Sequence, residues 1–299
     1  MGETRATDVS SLQQWKRIPR RHLSRNDSEE VTVKSLCALS ADELLLACGT
    51  AGLRALSLRT GQLVAREPTA MREDVRSVAY DRQTDTLLLV VCVWQSEWVG
   101  KYQLVSLCRN ASEWHEVQRL NLKLYELNAK IFMEVCDSRV LLGQWGGNAL
   151  YSFDLSAKHT LQDADKAHLL ESRGFACTRR GNDTLVALPQ WPSVSLQQLA
   201  THPLQHLKQL ATSDVLTSPQ FVLFRGELLL VADWNFDTKT HAIVSLHQMG
   251  NALAEQRVLL EAKRSVNVNF WTLSGDRLVV SEWNEMARKS GDLYVYDFA

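Results

Sequence analysis

The sequence predicts an all-β chain: a single β-propeller of six blades, each of four antiparallel strands, with seven blades as the alternative. Three observations carry this. Short runs rich in Val, Leu and Phe recur along the 299 residues, each preceded by a turn-forming pair or triplet such as Asp137-Ser138 or Gly275-Asp276. Trp94, Trp145, Trp191, Trp234 and Trp283 end five of these runs at spacings of 43 to 51 residues, and four-stranded blades repeat at about 40–50 residues. The runs are also apolar at consecutive positions, the pattern of strands buried on both faces.

Residues 1–10 read as a flexible N-terminus and 11–299 as the propeller. The first unit, 31–70, leads in with VTVKSLCAL, continues with the apolar ELLLACG and then GLRALSL; Cys48 stands where later units carry Trp. The second, 71–123, runs DVRSVAYD, TLLLVVCVW, KYQLVSLC and the more polar EWHEVQRLNL. In the third, 124–171, NAKIFMEVC, RVLLGQW and ALYSFDL follow one another. The fourth, 172–214, has GFACTRR, TLVALPQW and SVSLQQL; the fifth, 215–263, has QFVLFR, ELLLVADW, HAIVSLH and AEQRVLLE. The last, 264–299, ends at its third strand, DLYVYDF, after VNVNFWTL and RLVVSEW. Its fourth strand is expected from the N-terminal segment 11–20, SLQQWKRIPR, because closing the ring with both termini removes an unpaired sheet edge.

The bulk numbers restrict function. Hydrophobic content of 45% and charged content of 22% are those of an ordinary globular protein, and a formal charge of -1 provides no global field to recruit nucleic acid or an anionic membrane. No apolar run reaches the roughly 18 residues of a membrane span, and the first residues carry no apolar signal core. The six cysteines form no CxxC pair and lie in or beside apolar runs, which reads as reduced thiols. The expected location is therefore intracellular, cytoplasmic or nuclear, and the sequons at Asn26, Asn110 and Asn182 carry no weight without a secretory route.

ACGTAGLRALSLRTGQLV (47–64) resembles the second-to-third-strand portion of a WD40 repeat, GNALYSFDLS and GDLYVYDF are similar to its third strand, and LLLVADWN is similar to the matching strand of NHL-type propellers. The Gly-His pair and terminal Trp-Asp of WD40 repeats are absent, so their His–Asp–Trp network does not carry over. The resemblance implies that the five Trp residues lie near one rim of one face. There they either wedge between blades or form a binding surface; aromatic burial favours the first.

Candidate binding residues are Trp94, Trp145, Trp191, Trp234 and Trp283, together with Asp233, Asn235, Glu282 and Asn284 from the two closest unit ends, VADWN and VSEWN. Aromatic faces with carboxylates beside them suit a basic peptide. The expected function is a non-catalytic protein–protein interaction module or scaffold, with protein or peptide partners, no enzyme activity, no cofactor and no metal. A small-molecule ligand and a membrane are not expected. Nucleic acid is admitted by the basic segment 15–25 but not favoured. The alternatives are a metal-dependent hydrolase, whose hard ligands would come from Asp233, Asn235, Glu282, Asn284 and Asn148, and an RNA-binding propeller. His202 and His206 in HPLQH read as exposed side chains, since Pro203 interrupts any helix that would align them.

Overall fold

The computed structural model describes residues 10–25, 29–64, 73–96, 100–111, 113–124, 130–147, 149–162, 165–168, 174–181, 183–199, 207–213, 216–249, 252–264, 266–284 and 289–299. The chain is all-β and propeller-like. Its first strand, β1 (Leu12–Ile18), precedes a four-stranded sheet of β2 (Ser35–Ala38), β3 (Glu43–Ala47), β4 (Leu53–Ser57) and β5 (Gln62–Leu63). A second sheet holds β6 (Asp74–Asp81), β7 (Thr86–Trp94), β8 (Gly100–Asn110) and β9 (Glu113–Leu122), and a third holds β10 (Ile131–Cys136), β11 (Arg139–Gln144), β12 (Ala149–Asp154) and β13 (Asp165–His168). Next come β14 (Ala176–Arg180), β15 (Asp183–Gln190), β16 (Ser193–Leu199) and β17 (Leu207–Ser213), then β18 (Pro219–Arg225), β19 (Leu228–Asn235), β20 (Thr240–Met249) and β21 (Ala252–Leu260). These eight form one sheet in the order β14-β15-β16-β17-β21-β20-β19-β18, its two halves joined by a parallel contact of Thr212 with Ala252. The last sheet is β22 (Val268–Ser274), β23 (Arg277–Asn284), β24 (Lys289–Phe298) and β1.

The local chemistry explains these hairpins. Between β10 and β11 the two-residue turn Asp137-Ser138 takes φ of 54° and 59°, the left-handed pair that matches the twist of two antiparallel strands and that Asp tolerates better than most residues. Gly275, at φ 59°, opens the equivalent turn between β22 and β23. The second strands are buried on both faces: every residue from Thr86 to Cys92 in β7 is buried, as is Leu228 through Asp233 in β19. The outermost β9 instead carries only exposed and half-buried side chains.

The core is a set of apolar layers between consecutive sheets. Leu45, Ala47 and Ala55 of the first sheet meet Val78, Leu87 and Leu89 of the second. Leu88 and Val90 meet Val140 and Leu142 of the third. Leu141 and Leu150 meet Val186 and Leu188, a thinner layer filled out by Phe175. Ala187 and Leu196 meet Val231 and Leu246, and Leu230 and Ile243 meet Leu278 and Val280. Val279 and Val295 of the last sheet return to Leu44, Leu46 and Leu56 of the first. No helix among the described residues is long and apolar enough to cross a membrane.

β1 pairs antiparallel with β24, from Leu12 opposite Phe298 to Ile18 opposite Leu293, so the two chain ends share one sheet. Several cations of the basic segment are used in this closure. Lys16 Nζ donates to the carbonyls of Leu58 at 3.0 Å and Arg59 at 2.8 Å, Arg17 pairs with Asp292, and Arg20 Nε donates to Val31 O at 2.9 Å. Ile18 is fully buried between the first and last sheets. Ile18→Ala is therefore expected to cost about 2–5 kcal/mol, whereas Gln14→Ala on the exposed side of β1 stays within about 0.5 kcal/mol. Urea denaturation of the two variants checks this; equal midpoints would mean that β1 is dispensable to closure.

Candidate functional site

Strands β2, β6, β10, β14, β18 and β22 neighbour one another in cyclic order around a common axis, β22 meeting β2. Their N-terminal ends lie at the same end of the molecule as the C-terminal ends of the second strands. Trp145 N–H donates to Lys130 O at 2.9 Å, Trp234 N–H to Ser218 O at 3.0 Å and Trp283 N–H to Asn267 O at 2.7 Å, tying each second strand to the entry of the first. Three of the first strands bulge just inside this end, where the register slips at Arg76 in β6, Gln220 in β18 and Asn269 in β22. A bulge inserts one residue and re-aims its side chain. Lys34 and Lys130 stand immediately before β2 and β10 at the matching places.

The result is a cavity of about 130 Å³ lined by Lys34, Arg76, Lys130, Asn269, Phe270 and Trp283, with Val33 and Ile131 completing its apolar wall. Behind this wall Asp74 pairs with Arg76. Asp74 accepts from Arg76 Nη2 at 2.6 Å and from Trp94 Nε1 at 2.7 Å, and the Arg76 guanidinium lies over the Trp94 ring at 5.6 Å. Arg76 is 8% exposed and Asp74 5%, yet Arg76 Nε and Asp74 Oδ1 are buried with no hydrogen-bond partner. Such atoms carry a desolvation cost that water or a ligand relieves.

Lys130 Nζ donates to Asn269 O at 3.3 Å and sits 4.8 Å from the Phe221 ring, 5.1 Å from Trp145 and 5.3 Å from Phe270. Burial, and then the charge of Lys34, push its ammonium down to about 7. Lys34 is lowered too, by burial first and then by Arg76. Beyond Lys130, Phe132 packs against Trp145, Phe221 and Phe270 at 6.1 to 6.3 Å between centroids, and these rings close the channel. Below them lies a smaller space of about 40 Å³ bordered by Glu134, Gly174 and Trp271; enclosure there raises the Glu134 carboxyl to about 8. His241 lies beside the rings, 5.6 Å from Phe221 and 5.0 Å from Trp234. Its Nδ1 accepts from Val268 N–H at 3.0 Å, and burial followed by the Lys130 charge lowers it to about 3, so it is a neutral ring at physiological pH.

The residues singled out from sequence divide between this cavity and the rim. Trp283 lines the cavity, Trp94 holds Asp74, and Trp145 forms part of the wall around Lys130. Trp234 is half-buried with its edge against His241, while Trp191 is 67% exposed, ahead of a cis Trp191–Pro192 bond. Asp233 is occupied: it accepts from Thr217 N–H at 3.0 and 3.2 Å and from Ser218 N–H at 2.7 Å. Asn235 Oδ1 accepts from the N–H groups of Asp237 and Thr238, each at 3.0 Å, closing the turn into β20. Glu282 is half-buried and fills the space that a side chain at Gly291 would need; Asn284 is exposed. Asn148, His202 and His206 lie outside the described residues. Among the described residues no three His, Cys, Asp or Glu side chains group as metal ligands.

Sequence reasoning missed Lys34, Arg76, Lys130 and the rings beneath them. Their signal was present: VKS, VRS, AKI, PQF and VNF each place a long or amide polar side chain (Lys, Arg, Gln or Asn) at the entrance of a mainly apolar lead strand.

No protein-family model matches the chain, and no curated protein matches it in sequence. Solved structures share its fold. The PQQ-bound aldose sugar dehydrogenase of Streptomyces coelicolor is similar with a TM-score of 0.61 and 10% identity, over 95% of this chain and 97% of that one. A glucose dehydrogenase-type oxidoreductase of Thermus thermophilus gives a TM-score of 0.56 at 12% identity, over 88% and 96% of the two chains. The β-propeller domain of Cps50 (Swd1) from Myceliophteria thermophila gives 0.53 at 14%, over 92% and 85%. These neighbours correct two expectations, that the protein is a non-catalytic scaffold and that it is not an enzyme. Both were drawn from the architecture, and the same architecture is shared with small-molecule oxidoreductases, so it cannot decide between a platform and an enzyme. By fold the chain is β-propeller-like, similar to the propeller domain of Swd1 and to an aldose sugar dehydrogenase.

Proposed function

We propose that the protein is a small-molecule-binding propeller whose ligand is a small organic anion held at the channel mouth by Lys34, Arg76 and Lys130. The observation that carries this is the imbalance of charge in the cavity wall: among the described residues three cations and no carboxylate line about 130 Å³, and Asp74 beside them is already shared by Arg76 and Trp94. Like charges crowded in a partly desolvated space raise one another's free energy, and an anion between them removes that cost. The same reading takes the eight-stranded sheet as two four-stranded blades touching at Thr212 and Ala252, giving six blades and six lead strands around the site.

The PQQ-bound neighbour poses the question whether a fused-ring quinone would fit here. The cations suit its carboxylates, but the enclosed space is about 130 Å³, well below the roughly 300 Å³ at which pockets begin to hold drug-sized ligands. Phe132, Phe221 and Phe270 close the channel beneath it. The cavity as formed takes a few heavy atoms, too few for PQQ.

Two measurements test the reading. Oxalate, malonate or phosphate at about 100 times its Kd stabilises the fold by about 2.7 kcal/mol through linkage. One or more of them should therefore raise Tm by several degrees where glycerol does not, and Lys34→Met combined with Arg76→Met should abolish the shift. The absence of a shift with every anion would overturn the proposal.

The second measurement follows the charge on Lys130. Its folded value of about 7 lies below the ordinary 10.5, so between those pH values the unfolded chain binds more protons than the folded one. Folding stability therefore falls as pH drops from 10.5 towards 7 and stays level, as far as this group is concerned, below that. The groups facing it are Lys34 and Arg76, with Asp74 paired to Arg76, and His241, which is already neutral in this window. In ligand-free protein, Lys130→Met should gain stability relative to wild type progressively as pH is lowered from about 10 to 7. Urea midpoints measured across that range decide it; parallel curves would show that Lys130 titrates as an exposed lysine.

A further inference from the structure

We propose that Lys130 is a nucleophile that forms an imine with the carbonyl group of a small oxo acid, while Lys34 and Arg76 hold the acid's carboxylate. The proposal rests on the anion-site reading and names the ligand class for it. A half-buried lysine kept only for structure would be expected to end on a carboxylate. Lys130 instead donates to a single carbonyl oxygen, that of Asn269 at 3.3 Å. Apart from that it is surrounded by the faces of Trp145, Phe221 and Phe270. It lines the cavity together with two further cations, Arg76 of the adjacent β6 and Lys34 at the entrance of β2. An apolar enclosure and an adjacent cation are the two devices that activate a lysine amine, and both act on this one: burial first, then Lys34.

The cavity also separates the roles that such a substrate requires. Arg76 keeps Nε without a partner and, with Lys34, offers charge to a carboxylate. Val33, Ile131 and Phe270 receive a short carbon chain. The neutral Nζ adds to the carbonyl carbon, and the π electrons of that bond move to oxygen. A proton passes from nitrogen to oxygen to give a carbinolamine. The C–O bond then breaks with loss of water, leaving the imine. One water is released and nothing is oxidised or reduced, so the step needs no co-reactant beyond the oxo acid. The imine nitrogen lies against ring faces that favour its protonated form.

The full-length protein is incubated with pyruvate or acetoacetate, reduced with borohydride, and examined by intact mass and peptide mapping. The expected result is a single reduced adduct on Lys130. Lactate and propionate, which lack the carbonyl, should give none. Lys34→Met should lower adduct yield at subsaturating oxo acid by roughly tenfold, the scale of one charge-assisted contact. Lys130→Arg keeps a cation but cannot form an imine and should give no adduct, its circular dichroism spectrum and cooperative thermal transition showing that the variant is folded. Adducts spread over several lysines, or none on Lys130 in wild type, would overturn the imine. If oxalate, malonate or phosphate still stabilises wild type in that case, the anion site stands alone; if none of them does, both readings fall.

Discussion

The arrangement depends on closure of the ring, in which β1 completes the sheet begun by β22, β23 and β24. Closure is held by apolar contact as well as by backbone pairing: Ile18 and Val295 lie in the same layer as Leu44, Leu46 and Leu56 from the first sheet. It has a consequence beyond stability. A closed ring leaves the lead strands no freedom to move apart, so whatever stands at their entrances must share the axial space. Three of those residues are cations, and only a rigid, continuously packed ring keeps them together against their mutual repulsion.

The cavity exists because a second feature stops the channel from collapsing around it. Phe132, Phe221 and Phe270 come from β10, β18 and β22, and with Trp145 they form a floor of touching rings. The floor is apolar and Lys130 lies on it, which combines the two influences on its charge: ring faces attract the ammonium while the lost water disfavours it. Below the same floor, Glu134 is shielded from Lys130 and retains its proton to about 8. The two groups stand four residues apart along one lead strand, and the rings between them leave each lining its own cavity.

The architecture was legible in the sequence because it is periodic. TLLLVVCVW and ELLLVADW announce strands buried on both faces, and the unplaced SLQQWKRIPR points to the missing strand of the last sheet. The site was harder to read because it has no local motif. Lys34, Arg76 and Lys130 come from three different units and meet only once the ring has closed. Reading the second-strand ends for chemistry led to Trp and acid side chains. Reading the lead-strand entrances would have led to the cations, since a lone Lys or Arg inside VTVKSL or DVRSVAY breaks the apolar pattern with no exposed face to justify it. The bulges at Arg76 and Asn269 are the structural form of that break.

The matching VADWN and VSEWN show why similar words need not do similar work. Asp233 is short enough to stay beside its own strand, where it accepts three hydrogen bonds from the backbone of Thr217 and Ser218 and so fixes the entry into β18. Glu282 is one methylene longer and cannot occupy that place in the same way. Its carboxylate reaches across to β24, into room left by Gly291, and half-burial holds its acid above the usual carboxylate range. The Trp residues part company as well. Trp234 is set edge-on to His241, and Trp283, whose neighbouring lead strand begins at Val268 and bulges at Asn269, turns into the cavity wall. The repeated feature is the end of a buried strand; the cavity wall is assembled from what the units do differently at that end.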